Sequence, residues 1–304
     1  MNSAPIIIEE QGLRDGLQNL PHVLPLEMKL DFISRLMGAG IRRIQVTSFV
    51  HPTWVPAMAD AEALCAALSH HADVEFSALV LNNKGVERAV AAGIPSIAAS
   101  ISASNTHSLK NANKTLNEAR KEFREMTALA RQHQLVVRGG LQCVFGCRYE
   151  GAINETSIYD LTKHHLDCGV QEMAFADSTG MGNPTQMKRM LPRLLEICGN
   201  VPVTLHLHNT ENKGYANVIA ALECGIRQFD TAFGGLGGCP FIQGATGNIA
   251  TEDTVHMLHE MGFQTGIDIR AVAAISQDMQ QWLGAPLPGL LYSLLQQKDF
   301  RLNE

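Results

Sequence analysis

Val201-Pro202-Val203-Thr204-Leu205-His206-Leu207-His208 begins as an apolar, β-branched run and ends on two histidines separated by one residue. As a strand, this run turns both imidazoles to one face, because side chains two residues apart point the same way. Two histidines at a strand end, aimed into one space, make half of a metal site. The plainer alternative packs one histidine in the core and leaves the other without a ligand. On spacing alone that alternative is the commoner outcome, so the rest of the chain must decide.

Seven other β-type runs share this character. Together the eight occupy residues 6–10, 41–47, 74–80, 96–101, 135–142, 171–176, 203–208 and 226–232. The stretches between them are rich in Ala, Leu, Glu, Lys and Arg, as over 25–39 and 116–134, and read as helices. Glycines punctuate four of the helix-to-strand turns, at Gly40, Gly93, Gly169 and Gly225. Eight βα units in succession predict an α/β chain closed into a parallel (β/α)8 barrel. An open doubly wound sheet is the alternative. No glycine-rich dinucleotide fingerprint follows the first run, which disfavours it. Residues 1–304 read as a single domain, with 266–304 a short C-terminal helical extension. Within it, Pro286 and Pro288 suggest an irregular lid or brace over 281–289.

The chain has 304 residues, 45% of them hydrophobic, so one large core is possible. A net charge of -6 with no long run of one sign argues against a nucleic-acid surface or an acidic-membrane anchor. No stretch of about 18 apolar residues offers a membrane span. Neither terminus carries a recognisable address, which makes a cytoplasmic enzyme the expectation. Seven scattered cysteines suit a reducing compartment better than a disulfide framework.

Function in such a barrel sits where strands end and βα loops begin. That rule selects Arg14-Asp15-Gly16 after the first run and Gln45 and Ser48 on the second. It also selects Arg138 on the fifth, Asp177 after the sixth, and His206 and His208 on the seventh. After the eighth comes a long glycine-rich loop with Cys239 and Asn248. Two imidazoles, the Asp15 carboxylate and the Asn248 amide oxygen form a mixed donor set with room for water, which suits Mg²⁺ or Mn²⁺. Zinc more often takes sulfur or a third histidine. Asp15 has competing uses as a helix cap or an arginine partner. For Asn248 alone, capping a helix near Thr251 is the commoner use. Arg14 can stabilise an oxyanion beside the metal. Cys239, among four glycines, can protonate a carbanion or act as a nucleophile, though no base adjoins it in sequence.

These residues carry a resemblance. Arg14-Asp15-Gly16-Leu17-Gln18-Asn19, Thr47-Ser48-Phe49-Val50, His206-Leu207-His208 and Gly235-Leu236-Gly237-Gly238-Cys239-Pro240 resemble the 3-hydroxy-3-methylglutaryl-CoA lyase family. Trp54-Val55-Pro56, Tyr149-Glu150-Gly151 and Gly247-Asn248-Ile249-Ala250-Thr251-Glu252-Asp253 extend it over nearly the whole chain. The resemblance implies a TIM barrel, a divalent metal and retro-Claisen cleavage of a CoA thioester to acetyl-CoA and acetoacetate, as in leucine degradation and ketone-body formation. It implies Asp15, His206, His208 and Asn248 as metal ligands and Arg14 as the enolate-stabilising residue. Cys239 becomes the loop thiol for proton transfer, and His206 or Asp15 the base. Asp177 matches an acidic residue near the site, and Arg138 a buried basic partner. Gln45, Ser48, Asn82 and Lys84 fall at substrate-binding positions, the last two in a loop near the CoA. A homodimer is implied as well.

The chain also departs from the family. Gln45 stands where the family has glutamate, and Asn209 where it has aspartate, so two negative charges are absent near the metal. Glu10-Gln11-Gly12-Leu13 replaces the usual lead-in, and Asp177-Ser178-Thr179-Gly180 differs from Asp-Thr-Ile-Gly. The proposed ligands are kept while the acyl surroundings change. Citramalyl-CoA or a longer branched thioester is therefore a rival substrate. A non-catalytic barrel that binds metal or CoA is the rival of another class. Condensing synthases share the Arg-Asp start but usually carry extra domains after the barrel.

Overall fold

Strand β1 (Ile7–Glu10) pairs in parallel with both β2 (Arg43–Ser48) and β8 (Gln228–Thr231), and the second pairing closes the sheet on itself. Between them lie β3 (Glu75–Val80), β4 (Ser96–Ser102), β5 (Val136–Gln142), β6 (Glu172–Asp177) and β7 (Val203–Leu207), neighbours in chain order around the barrel. The computed structural model describes residues 5–68, 72–237, 247–297 and 300–302. It is the TIM (β/α)8 barrel that the alternating pattern predicts.

Helices α1 (Leu26–Gly38), α2 (Ala61–Ala67), α3 (Asn83–Ala91), α4 (Asn105–Ala112), α5 (Leu116–Gln132), α6 (Glu155–Asp167), α7 (Pro184–Cys198), α8 (Gly214–Glu223) and α9 (Thr251–Glu260) follow the strands. After them come α10 (Ile269–Leu283) and the short α11 (Leu291–Leu294). No helix among the described residues is long and apolar enough to cross a membrane.

Several strands begin a residue or two later than apolarity alone suggests. Ile41, Leu135 and Ile226 are buried, but their N–H groups return to the preceding helix, to the carbonyls of Leu36, Ala130 and Ala221, at 3.0 Å each. Gly40 and Gly225 take up the positive φ that this helix ending needs, 94° and 97°. Those leading residues therefore belong to helix caps inserted in the core, outside the ladder.

The barrel interior carries a buried charged layer. Arg138 binds Glu9 at 2.9 Å, Glu172 at 3.3 Å and Asp230 at 2.6 Å, and Arg43 binds Glu9 at 2.9 Å and Glu172 at 2.7 Å. Each charge has an opposite neighbour, which makes the layer tolerable in a dry interior. Removing one partner from such a group costs about 3–5 kcal/mol. By strand alternation, the positions above Arg138 and Glu172 are Gly140, Ala174 and Ala176, beside Ala98 and Ser100. These are small residues, and the larger chemical side chains gather on the wall formed by β7, β8 and the turn after β1.

The proline-containing segment expected as a lid or brace packs against the turn after β8. Gly289 N–H donates to the Gly234 carbonyl at 2.8 Å. Leu287 fills the space beside Gly234, where an added Cβ would lie 2.3 Å from its side chain. The segment after α10 thereby pins the root of the loop that leaves β8.

Candidate metal centre

His206 is the last inward-facing residue of β7, and His208 lies just past the strand end, where it pairs with Asn248 in an antiparallel bridge. Their Nε2 atoms face each other at 3.1 Å. Asp15 enters from the π-type turn Gly12–Gly16 after β1, and its Oδ2 lies 3.8 Å from His206 Nε2 and 3.7 Å from His208 Nε2. All three side chains are buried, and one ligand atom from each falls within 4.8 Å of the others. Asn248 closes the group, its Nδ2 donating to Asp15 Oδ2 and to the Leu236 carbonyl at 2.8 Å each. It does not cap α9, whose cap position is Ala250.

The protonation pattern follows from the surroundings. Asp230 Oδ2 accepts from His206 Nδ1 at 3.0 Å, which fixes that proton and leaves the Nε2 lone pair facing the centre. Burial alone would raise the Asp15 carboxyl, but the Arg14 guanidinium and the two imidazoles outweigh it and hold the group well below the usual carboxylate range. Asp230 is likewise penalised by burial and held below its ordinary value by Arg138. Both carboxylates therefore stay ionised.

A divalent cation fits these residues. Two imidazole nitrogens and an ionised carboxylate oxygen lie within 4.8 Å of one another, and the neighbouring Asn248 has its buried Oδ1 without a hydrogen-bond partner among the described residues. Neighbouring donors around an octahedral ion with bonds of about 2.1 Å stand about 3 Å apart, close to the imidazole separation. Without a cation, the amide oxygen would be buried unpaired, and His208 would have to donate its Nε2 proton to His206 while its own buried Nδ1 stays without a partner.

Arg14 lies beside this group. Its Nη1 donates to Asp15 Oδ1 at 2.5 Å, its Nη2 to Gln11 Oε1 at 2.9 Å, and its Nε to Gln45 Oε1. Gln45 is therefore an arginine partner in a buried position. Asp177 sits at the end of β6, with both oxygens accepting from Gly182 N–H, and burial pushes its carboxyl up to about 6. Ser48 turns to the sheet and donates to the Leu79 carbonyl at 3.3 Å. Arg138 does not touch the centre itself and binds the Asp230 that holds His206. Asn82 caps α3, accepting from Gly85 N–H at 2.8 Å. Lys84 is exposed on that helix and pairs with Glu87 at 3.0 Å. Cys239 lies outside the described residues.

Two positions escaped the sequence reading, Asp230 and Gln11. Asp230 had a signal: Gln228 and Asp230 alternate as polar residues through β8, the pattern of one strand face turned to a polar interior.

Residues 5–279 match the family model described as HMGL-like. The chain belongs to the HMGL-like family. Curated relatives in it include the (R)-citramalyl-CoA lyase of Chloroflexus aurantiacus, 39% identical over 94% of this chain and 93% of that protein. The hydroxymethylglutaryl-CoA lyase of Bacillus subtilis is 36% identical over 93% of this chain and 95% of its own length. A solved HMG-CoA lyase from Acinetobacter baumannii, in complex with coenzyme A and 3-methylmalate, superposes with a TM-score of 0.93 at 38% identity, covering 98% of this chain and 97% of that one. Kinship at this level makes the chain a carbon–carbon lyase of the acyl-CoA class.

Proposed function

We propose that the protein cleaves a 3-hydroxyacyl-CoA by a divalent-metal-dependent retro-Claisen reaction, with 3-hydroxy-3-methylglutaryl-CoA or a close analogue as substrate. The observation that carries this reading is the meeting of Asp15, His206 and His208 beside Arg14 at the barrel mouth. Asp15, His206, His208 and Asn248 would hold the ion, and Mg²⁺ or Mn²⁺ suits their nitrogen and oxygen donors. When bound, the ion would acidify the substrate's hydroxyl and orient it.

The chain's own residues supply the rest. Asp230 keeps the His206 ring in one orientation. A base takes the hydroxyl proton, with His206 and Asp15 as the candidates, and the alkoxide becomes a ketone as the carbon–carbon bond breaks; the bond's electrons move toward the thioester, and negative charge grows on the thioester oxygen. Arg14 is placed to meet that charge, a contact worth roughly 3–4 kcal/mol. Cys239 is the proposed proton donor to the departing carbon, by family resemblance. Lys84, exposed in the first turn of α3, is the proposed contact for the CoA phosphates. Trp54, 83% exposed, and Leu290, 68% exposed, offer apolar surface for the proposed homodimer.

Citramalyl-CoA is the second reading. It is favoured by the neutral Gln45 against Arg14 and by the Chloroflexus relative. The test is acetyl-CoA release from a panel of 3-hydroxyacyl-CoA thioesters, with Mg²⁺ and with EDTA, for the native chain and for Gln45→Glu. Metal-dependent release from at least one thioester is expected. Full-rate cleavage of 3-hydroxy-3-methylglutaryl-CoA that Gln45→Glu does not improve removes the altered-pocket reading. No release from any thioester defeats the proposal.

A further inference from the structure

Gln11 has a place that neither the metal ligands nor the oxyanion contact explains. It is fully buried between β1 and the turn that carries Arg14 and Asp15. Its side chain faces two ways. Nε2 donates to Glu9 Oε1 at 3.3 Å, and Oε1 accepts from Arg14 Nη2 at 2.9 Å. An amide can donate to a carboxylate at one end and accept from a guanidinium at the other with no change of protonation. A glutamate here would set a second carboxylate against Glu9 in a buried site. An apolar side chain would leave the guanidinium short of a partner.

The other end of this contact is the charged layer. Glu9 is bound by Arg43 and Arg138, and Arg138 binds the Asp230 that orients His206. One buried ion cluster thus reaches the candidate centre by two arms, Asp230 to His206 and Gln11 to Arg14. Arg14 is gripped at all three nitrogens, by Gln45, Asp15 and Gln11. Two of these partners are neutral amide oxygens, which fix the guanidinium without cancelling its charge. Of its five N–H groups, two have no partner among the described residues.

We propose that Gln11 is a positioning residue, which ties Arg14 to the buried ion cluster so that its free N–H groups hold their aim at the developing oxyanion. This rests on the retro-Claisen reading, since it takes Arg14 to meet negative charge in the reaction.

The test uses the full chain with Gln11→Met and Gln11→Leu, the first keeping the side chain's length and flexibility. Four quantities are followed: kcat and KM on a cleaved thioester, Mn²⁺ affinity by electron paramagnetic resonance, and the phenylglyoxal modification rate of Arg14 by mass spectrometry. Loss of one hydrogen bond to a charged group predicts a fall in kcat of about tenfold or more. KM and Mn²⁺ affinity are expected to stay within about twofold, and Arg14 to react several-fold faster. Unchanged kcat with unchanged Arg14 reactivity overturns the proposal. So does a loss of Mn²⁺ affinity in step with kcat, because Gln11 would then act through the metal ligands. If the native chain cleaves no thioester, the functional reading fails, and the Arg14 modification rate still decides whether Gln11 holds that side chain.

Discussion

The end of β7 and the start of α3 both carry polar residues at positions marked for function, and the barrel uses them differently. His206 and His208 project into the mouth, where Asp15 and Asn248 meet them. Asn82 spends its side chain on the first turn of its own helix, and Lys84 lies in solvent beside Glu87. Both segments follow the same rule of strand ends. They differ in what lies opposite. Across from β7 are the turn after β1 and the return of the β8 loop. Beyond Asn82 and Lys84 are a helix N-terminus and water. A position at a strand end becomes a site only when other strand ends supply complementary groups.

Four substitutions press on this contrast. The largest effect is expected from Asp15→Asn, which removes the one carboxylate of the group. Mn²⁺ binding should be lost and thioester cleavage should fall by at least about a thousandfold, since metal polarisation supplies several kcal/mol. Retained Mn²⁺ affinity, measured by paramagnetic resonance, would break the comparison at its stronger end.

Asp230→Asn should have an intermediate effect. It leaves every proposed ligand in place but weakens the grip on His206. Outer partners of this kind are worth about 10- to 100-fold in metal affinity. An unchanged affinity would mean that the ring is held by β7 alone.

The smallest effects belong to α3. Asn82→Ala should lower stability by about 1 kcal/mol, read by chemical denaturation, with kcat unchanged. Lys84→Ala should raise KM for the thioester by no more than about threefold, and less at high salt, as befits one exposed charge. A tenfold fall in kcat from either change would erase the contrast and bring this helix into the chemistry.

Much of the architecture was legible in advance because its signals are local. The apolar run before His206 has strand character by itself, and Gly40 and Gly225 mark helix ends by the backbone angles they alone adopt cheaply. The start of β2 was misplaced for a related reason. Ile41 is apolar because it is buried, while its N–H group is committed to α1. Hydrophobicity reports burial, and ladder pairing is a separate property. At the site, Asp15, His206 and His208 were readable from residue type and strand-end position. Asp230 and Gln11 were not singled out, because each acts on a side chain carried by a different part of the chain or by a turn whose shape is not periodic.

The amino-acid sequence alone determined the eightfold alternation, the strand ends and the chemical types found there, since two-residue alternation and helix endings are short-range physics. The tertiary structure alone decided which of those ends share one space. Asp15 and Asn248 stand 233 residues apart and meet at 2.8 Å because the barrel closes β8 onto β1. Closure and register depend on how all eight strands pack together, and no local pattern contains them.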